Sequence, residues 1–458
     1  MEMENTGKVV TRFAPSPTGH MHAGSYRTAF FAYLFAKRHD GKFILRIEDT
    51  DKERSKEEYT QEIFNVFEKI GISYDEKYIQ SENLERHKEV LQKLISEDKA
   101  YISREEAKDG SGIIKDIIRF RNPGKSVTFD DLIRGPITTD TTDLGDFVLA
   151  KNIDEPLFHL AVVVDDHDEG VNHVIRAEEH IANTPRQILI HEALGFDIPK
   201  YAHLPLVLAP DKTKMSKRKG AIPVVDYLDM GYLPEALLNA ICLCGWNPGT
   251  EQEIFSREEL EKVFDLDKVQ KAGAVFGQDK LDWFNREYIK KLSQKEFWDI
   301  AHHGLYGSIV NDTEEDREIL KKLEPLIRER MTKFSDMQNF FGKADGSTVG
   351  EFDYFFVKPK IDLSMLIWKG LKIENPSDSD GWIKKTKEYL KEIHSRLEKL
   401  ENWDYESIKA SIWDYAEQEG RGAVLWPMRV ALSGREKSPD PFEISSILGK
   451  EETLKRLK

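Results

Sequence analysis

The N-terminal part of the chain alternates between two patterns of apolar residues. Residues 8–13 and 42–48 are short apolar runs, which are typical of buried strands. After each run, apolar residues recur at helical spacing, first in 24–39 and then from Ile63 to Ile70. The segment Ser55–Glu58 has the spacing of a capping box before the second helix. Strand, helix, strand and helix in this order predict the βαβ arrangement of a parallel sheet.

The pattern weakens between Lys77 and Asp154, where Gly, Pro, Thr and charged residues dominate. It resumes at Leu157–Val164, a continuous apolar run that predicts a buried strand. Val171–Ile175 and His203–Leu208 predict two further strands, with a helix between them through Ile188–Ala193. We therefore expect one nucleotide-binding sheet that is interrupted by an inserted domain.

From about Leu292 onward the pattern is almost wholly helical, with apolar residues on one face at Leu323 and Ile327 and again at Ile393 and Leu397. The predicted fold class is α/β: a Rossmann-like parallel-sheet domain with an insertion, followed by an all-α half. The expected domain boundaries are 1–76 with 155–210, then 77–154, 211–292 and 293–458.

Composition indicates a large acidic globular protein. The 458 residues are 40% apolar and 33% charged, which allows a sizeable core in a soluble chain. The formal net charge of −15 argues against a polybasic nucleic-acid coat protein, although a basic stripe on one face would be compatible with it.

The two cysteines, Cys242 and Cys244, are too few for a disulfide framework or a four-ligand zinc site, and this scarcity fits a reducing cytosol. The N-terminus lacks the basic region and apolar run of a signal peptide, and no apolar stretch has the length of a membrane span. We expect a cytoplasmic protein with no membrane partner.

A proline-rich turn, Ala14-Pro-Ser-Pro-Thr-Gly-His-Met-His-Ala-Gly24, joins the first strand to the first helix. In an open parallel sheet this junction is the ligand crevice, and the start of the helix favours phosphate. His22 is then placed to donate to a nucleotide oxygen. The alternative is a stiff turn with surface histidines, but two histidines just before Gly24 favour nucleotide binding.

A cationic segment, Lys214-Met-Ser-Lys-Arg-Lys-Gly220, follows the later strands and contains four cations in six residues. Such a segment can wrap a triphosphate and neutralise the charge of a departing pyrophosphate. Alone it is equally typical of a solvated basic loop. Its order and separation relative to the first motif favour the phosphate-handling role.

Together the two motifs resemble the HIGH and KMSKS signatures of class I aminoacyl-tRNA synthetases, as His22–Ser25 and Lys214–Arg218. Ser25 replaces the second histidine of the signature, which is usual in the glutamyl branch. Other segments resemble bacterial glutamyl-tRNA synthetases over nearly the whole chain, and they are Arg46–Asp51, Val162–His167, His173–His180, Lys280–Asn285 and Trp426–Gly434.

The resemblance implies ATP-dependent ligation of L-glutamate to glutamate tRNA through a glutamyl-adenylate. The implied cofactor is ATP with Mg²⁺, the partners are glutamate tRNA, L-glutamate and ATP, and a monomer is expected. The implied catalytic residues are His22, Lys214 and Lys217. The implied ATP-binding residues are His22, Gly24, Glu179, Lys214, Met215, Ser216, Lys217 and Arg218. The implied glutamate-binding residues are Arg12, Ala14, Ser16, Glu48, Phe158, Val162 and Arg176.

The roles within this set follow from the charges of glutamate. By resemblance, Arg12 and Arg176 match the residues that bind the carboxylates of glutamate. A guanidinium suits this role, since it offers a planar fork of N–H donors to a carboxylate. Glu48 is suited to the ammonium group. Without the resemblance, ordinary ion pairs at a sheet edge would be the better interpretation of each.

Contacts with tRNA are expected on several basic spots of the acidic body. By resemblance, Arg429, Pro439 and Phe442 lie where relatives meet the anticodon. Candidates for phosphate contacts are Arg119, Arg121 and Lys125 in the insertion and Lys384, Lys385 and Lys387 in the helical half. A solvated helix face is an equally good interpretation of the last three.

Two features depart from the family. The inserted domain is short, and the segment that carries zinc-ligating cysteines in some relatives is absent, so no zinc is expected. Phe158 stands where relatives usually have a tyrosine in the amino-acid pocket.

Four alternative functions would each need a different set of domains or motifs from those that the sequence predicts. A glutaminyl-tRNA synthetase usually carries an anticodon-binding β-barrel region, and the short glutamyl-queuosine enzyme lacks an anticodon domain. A small-molecule nucleotidyltransferase would not need a helical RNA-reading half. A non-enzymatic RNA-binding paralogue would not need both phosphate-handling motifs.

Overall fold

The computed structural model describes residues 7–106, 114–213, 215, 222–305, 307–311, 313–368, 370 and 379–458. The chain divides into two compact units, residues 1–288 and 289–458. The division falls within helix α9 (Gln278–Lys291).

A seven-stranded sheet forms the centre of the first unit. In spatial order its strands are β3 (Glu76–Ile79), β2 (Lys42–Ile47), β1 (Val10–Phe13), β10 (His173–Ala177), β11 (Lys200–Leu204), β6 (Ser126–Asp131) and β7 (Gly135–Asp140). Neighbouring strands run parallel except β6 and β7, which form an antiparallel hairpin. The chain leaves β1 toward β2 on one side and returns to β10 on the other. This is the switch point at which an open sheet forms a ligand crevice.

Five helices pack with this sheet and its insertion. They are α1 (Ala23–Arg38), α2 (Glu57–Lys69), α3 (Leu84–Ser96), α4 (Phe158–Asp168) and α5 (Thr184–Leu194). The predicted strand–helix alternation of the N-terminal part is confirmed.

The segment 77–154 contributes to two sheets. Its strands β6 and β7 extend the seven-stranded sheet, since β6 pairs with β11. A separate antiparallel sheet contains β4 (Ala100–Glu106), β5 (Ile114–Phe120), β8 (Val148–Asn152) and β9 (Glu155–Pro156).

The prediction of a buried strand at Leu157–Val164 is wrong, because this run lies in α4. Consecutive residues Leu160 to Val164 are all buried, as the helix packs against α3, α5 and β8. A short helix that is buried on every side has no polar face, so its apolar run cannot be told from that of a buried strand.

The predicted capping box at Ser55 and Glu58 is also wrong. Helix α2 begins at Glu57 with Lys56 as its N-cap residue, so Ser55 lies one position too early. The backbone N–H of Lys56 donates to the carbonyl of Pro17 at 3.0 Å. This tertiary bond ties the start of α2 to the turn after β1.

The rest of the first unit joins a short parallel pair to three helices. The pair is β12 (Val207–Leu208) with β13 (Ala274–Val275), and the helices are α6 (Val224–Asp229), α7 (Pro234–Leu243) and α8 (Arg257–Val263). Cys242 and Cys244 are both buried as free thiols at the end of α7.

The second unit is helical over its described residues. Its helices are α10 (Gln294–Leu305), α11 (Glu314–Arg330), α12 (Met337–Phe340), α13 (Ser379–Glu398), α14 (Tyr405–Glu419), α15 (Arg421–Ser433) and α16 (Pro441–Leu457). The predicted apolar faces at Leu323 and Ile327 and at Ile393 and Leu397 are buried, as expected. Across the described part of the chain, no helix is both long and apolar enough to span a bilayer.

Candidate active site

A cavity of about 400 Å³ opens at the carboxyl ends of β1 and β10. Ten of the sequence-predicted site residues line it: Arg12, Ala14, Ser16, His22, Gly24, Glu48, Phe158, Arg176, Glu179 and Met215. The topology brings them together, because β1, β2 and β10 are adjacent and end at the same edge of the sheet.

His22 is the N-cap residue of α1, and its ring is oriented by the backbone. The N–H of Gly24 donates to Nδ1 of His22 at 3.1 Å. A neutral imidazole that accepts at Nδ1 carries its proton on Nε2. His22 can therefore donate from Nε2 at the start of a helix, where anions are favoured.

Gly24 is required by the position of that ring. A Cβ atom at Gly24 would lie 2.9 Å from Cε1 and 3.0 Å from Nδ1 of His22. Any larger residue would displace the histidine from its capping position.

Arg12 is held in the cavity wall by Asp166 of α4. Its Nε atom donates to the two carboxylate oxygens of Asp166 at 3.1 and 3.3 Å, and both residues are buried. Burial would raise the pKa of Asp166, but Arg12 and Arg46 outweigh it and hold that pKa at about 2. Asp166 is therefore ionised and holds the guanidinium of Arg12 in place.

Arg46 is fully buried behind Arg12 and is surrounded by four carboxylates. It contacts Asp166 and Glu169 at 2.7 Å, Glu48 at 3.2 Å and Asp165 at 4.0 Å. Burial raises the pKa of Glu48, against the effect of Arg46 and Arg12. Burial also raises the pKa of Glu169 to about 8.

Arg176 enters the cavity from β10 and is held by residues of other elements. Its Nε atom donates to His203 at 3.2 Å, and its Nη2 atom donates to Thr184 at 2.8 Å. Burial lowers the pKa of Arg176 to about 10, so the guanidinium is still charged at neutral pH. Arg12, Arg176 and Glu48 thus provide two fixed cations and one carboxylate for a ligand of opposite charges.

Comparison with known proteins identifies the family of this chain. Residues 8–109 and 102–283 match the family described as tRNA synthetases class I (E and Q), catalytic domain, and residues 288–458 match an anticodon binding domain. A glutamate–tRNA ligase of Clostridium tetani is 37% identical over 99% of this chain and 97% of its own length. The chain belongs to the glutamate–tRNA ligase family.

Other members of the ligase family also match nearly the whole length of this chain. The glutamate–tRNA ligase of Desulforamulus reducens is 35% identical over 97% of this chain and 98% of its own length. The crystal structure of a glutamate tRNA ligase from Elizabethkingia meningosepticum in complex with its amino acid is 32% identical, with a TM-score of 0.83 over 98% of both chains. The glutamate-tRNA synthetase of Elizabethkingia anophelis is 31% identical, with a TM-score of 0.80. As a class I synthetase of this family, the chain uses ATP, glutamate and tRNA.

Four of the remaining predicted site residues are not described by the structure. Lys214, Ser216, Lys217 and Arg218 lie outside the described residues. Val162 is buried on α4, one turn after Phe158, and is not among the described residues that line the cavity. Its expected contact with glutamate is therefore not supported by its position.

In the second unit, the expectation of a direct RNA contact by Phe442 needs correction. Phe442 is 3% exposed, and its ring lies 6.2 and 6.3 Å from the rings of Tyr405 and Trp413. A ring in the core cannot stack on a base. Pro439 is also buried, whereas Arg429 is half-buried.

The candidate phosphate contacts of the insertion are engaged in ion pairs. Arg119 pairs with Glu105 at 2.5 Å, Arg121 with Asp98 at 3.0 Å and Lys125 with Glu192 at 2.8 Å. In the helical half, Lys384, Lys385 and Lys387 are exposed on α13, as the solvated-face interpretation also predicts. Lys385 lies 3.8 Å from Glu419.

Sequence reasoning assigned no role to the residues that hold the arginines. They are Arg46, Asp131, Asp166, Thr184 and His203. The sequence does indicate that Arg46 has a partner, because a charged residue in the apolar run Lys42–Ile47 must be paired if it is buried. The partners of the others are 8 to 154 residues apart in the chain, and no local pattern connects them.

No group of three or more His, Cys, Asp or Glu side chains is arranged to hold a metal ion in the part of the chain that the structure describes. The carboxylates around Arg46 instead face a guanidinium, which occupies the position that a cation would take.

Proposed function

We propose that this chain ligates L-glutamate to the 3′ end of glutamate tRNA for protein synthesis, through a glutamyl-adenylate intermediate. The observation that carries the proposal is the placement of Arg12, Arg176 and Glu48 beside His22 in one cavity. Glutamate has two carboxylates and one ammonium group, which these three charges complement.

The reaction has two steps. The α-carboxylate of glutamate attacks the α-phosphorus of ATP and expels pyrophosphate, and the 2′-hydroxyl of the terminal adenosine then takes the glutamyl group. Neither step needs a side-chain nucleophile. Catalysis therefore depends on positioning and on stabilising the charge of the transition state.

ATP binding is assigned to the junction of β1 and α1. His22 donates from Nε2 to a phosphate oxygen, Gly24 gives the phosphates access to the start of α1, and Glu179 and Met215 line the same cavity. By family resemblance, Lys214, Ser216, Lys217 and Arg218 surround the departing pyrophosphate. Mg²⁺ enters as part of the MgATP substrate.

Recognition of glutamate is assigned to the charged residues of the same cavity. Arg12 and Arg176 bind carboxylate oxygens, Glu48 binds the ammonium group, and Ala14 and Ser16 contribute the turn after β1. The carbonyl of Pro15 accepts from the backbone N–H of Glu48 at 2.9 Å, which fixes this turn beside Glu48. A neutral glutamine amide would leave a buried guanidinium poorly satisfied, so glutamate is favoured.

Recognition of tRNA is assigned to segments outside the cavity. Residues 77–154 contact the acceptor end, residues 211–292 the signature loop and the stem, and residues 293–458 the anticodon, with Arg429 as the candidate base reader. We further propose that the protein is a cytoplasmic monomer.

Charging assays with purified glutamate tRNA and glutamine tRNA, each with glutamate or glutamine, test the proposal. We expect ATP-dependent glutamate transfer to glutamate tRNA and no transfer of glutamine. An Arg12→Lys variant should lose most of the glutamate affinity, because Lys cannot donate to Asp166 and to a ligand in the same planar geometry. Adenylyl transfer to a small molecule with no charging of either tRNA would refute the assignment.

A further inference from the structure

Arg176 is held from behind by a buried pair of acceptors. His203 accepts from Nε of Arg176, and Thr184 accepts from Nη2. Both residues are 0% exposed, and neither is among the described residues that line the cavity. Both side chains reach the cavity through their hydrogen bonds to Arg176.

Asp131 determines which nitrogen of His203 carries the proton. Its Oδ2 atom accepts from the backbone N–H of His203 at 3.0 Å and lies 2.6 Å from Nδ1 of the ring. Its Oδ1 atom accepts from the backbone N–H groups of Ile133 and Arg134 at 3.0 and 2.9 Å. Burial opposes ionisation, but the bonds from His203 and the backbone outweigh it and lower the pKa of Asp131. Because an ionised carboxylate only accepts, Nδ1 of His203 must donate.

The acceptor at Nε2 follows from that tautomer. Burial lowers the pKa of His203, and the adjacent Arg176 lowers it further against the effect of Asp131. A neutral ring with its proton on Nδ1 has a lone pair on Nε2. That lone pair meets the Nε–H of Arg176, whereas the other tautomer would place two N–H groups against each other.

These contacts fix the plane of the guanidinium. Arg176 has five N–H groups, of which His203 and Thr184 take one each and leave three. The guanidinium carbon also lies 5.3 Å from the ring centre of Tyr201. Rotation of the group would break both hydrogen bonds, so the remaining N–H groups keep a constant direction.

We propose that His203, with its tautomer set by Asp131, is a positioning residue that orients Arg176 toward a carboxylate of glutamate. The inference rests on the proposed function, because it takes the carboxylate in the cavity to be that of glutamate. The three residues come from the neighbouring strands β10, β11 and β6. Arg176 lies beside His203 in the β10–β11 ladder, and Asp131 lies beside Tyr201 in the β11–β6 ladder.

Two substitutions of His203 test the roles of its two ring nitrogens separately. His203→Gln places an amide oxygen near the position of Nε2 and keeps an acceptor for Arg176. His203→Asn keeps a donor for Asp131 near the position of Nδ1 but does not reach Arg176. His191→Asn is the matched control, because His191 is 2% exposed and is not among the described residues that line the cavity.

The readouts are KM for glutamate and KM for ATP in charging of glutamate tRNA, together with the melting temperature of each variant. We expect His203→Asn to raise KM for glutamate about tenfold and His203→Gln to raise it less than threefold, with KM for ATP within twofold in both, on the scale of one charge-assisted hydrogen bond. His191→Asn should change the melting temperature only. Thr184→Val and Thr184→Ser repeat the comparison at Nη2; the valine also removes the hydroxyl that lies 3.1 Å from Nε2 of His203, and only the valine should raise KM for glutamate.

Several results would overturn the inference. An unchanged KM for glutamate in His203→Asn would do so, as would equal increases in both KM values, which indicate a general loss of structure. A His203→Gln variant as impaired as His203→Asn would show that the acceptor at Nε2 is not what matters. Failure of the proposed function is recognised separately, because the unmodified protein would then not charge tRNA with glutamate at all.

Discussion

Nη2 of Arg46 donates to Oδ1 of Asp166 at 2.7 Å, and Nε of Arg12 donates to that same oxygen at 3.1 Å. One carboxylate therefore links a guanidinium in the cavity wall to one that is fully buried. The arrangement makes Arg46 a structural support of the proposed glutamate site.

Replacing Arg46 with methionine should destabilise the protein strongly. Asp166 would lose one of its two buried cations, Glu169 and Glu48 would lose their buried donor, and breaking a buried pair typically costs about 3–5 kcal/mol. Calorimetric unfolding of the variant measures the effect. Arg104→Met is the control, because Arg104 pairs with Asp116 at 3.1 Å while its side chain is 80% exposed, and such pairs contribute about 0–1 kcal/mol. Equal effects of the two substitutions would contradict the assignment.

The free energy of unfolding should carry a pH dependence that originates at Glu169. Its folded-state pKa is raised by burial from 4.5 to about 8, so between these values the folded protein holds a proton that the unfolded chain releases. Stability contributed by Glu169 is therefore fully present below about pH 4.5 and is lost as the pH rises toward 8, by up to about 1.4 kcal/mol per pH unit.

Glu169→Gln retains a neutral side chain and should remove this slope. Urea unfolding of both proteins between pH 5 and 8 measures the difference, and groups common to both, such as His173 with its pKa lowered to about 4, cancel. Parallel stability curves for the two proteins would show that Glu169 is ionised throughout this range.

Phe158→Tyr should lower KM for glutamate. Phe158 lines the cavity at the start of α4, 5.8 Å from the ring of His180, so a hydroxyl there adds a donor toward the ligand. The gain should be about 0.5–1.5 kcal/mol, roughly a two- to tenfold decrease in KM, with little change for ATP. The measurement is charging at varied glutamate concentration.

Phe147→Tyr is the control for that substitution. Phe147 is 8% exposed and its ring packs 5.0 Å from that of Phe120. A hydroxyl without a partner there should lower stability by about 1–3 kcal/mol and leave KM unchanged. If Phe158→Tyr behaves like this control, its ring is a core residue and not part of the pocket.

Gly24→Ala should weaken ATP binding. The added Cβ would lie 2.9 Å from Cε1 of His22 and force the ring out of its capping position. Loss of one hydrogen bond to a charged phosphate costs about 1.5–3 kcal/mol, so KM for ATP should rise at least roughly tenfold. Gly381→Ala, at a helical position with open space around the added carbon, should leave KM for ATP unchanged. A normal KM in Gly24→Ala would show that His22 does not contact ATP.

The parts of the fold that follow a regular period were predictable. β1, α1 and β2 have local patterns that match their burial, and the turn between β1 and α1 pointed to the cavity. Helix α4 was not predictable as a helix, because it is buried on every side.

The charged residues that line the cavity were found through the family resemblance, whereas the residues that support them were not. Arg46 and Asp166 are 120 residues apart, and Asp131 and His203 are 72 residues apart. Such pairs exist only once the sheet has formed, so no short segment of sequence contains them.

The order of strands in the seven-stranded sheet also affects how the protein folds during synthesis. β1 is made early, yet one of its two neighbours, β10, begins roughly 160 residues later. At about 5–20 residues per second, ribosomes need roughly 10–30 s to produce that neighbour. β11 is made last and must enter between β10 and β6, which leaves the edges of both open until then. Premature release of the nascent chain before Leu204 would therefore expose two unpaired strand edges to aggregation.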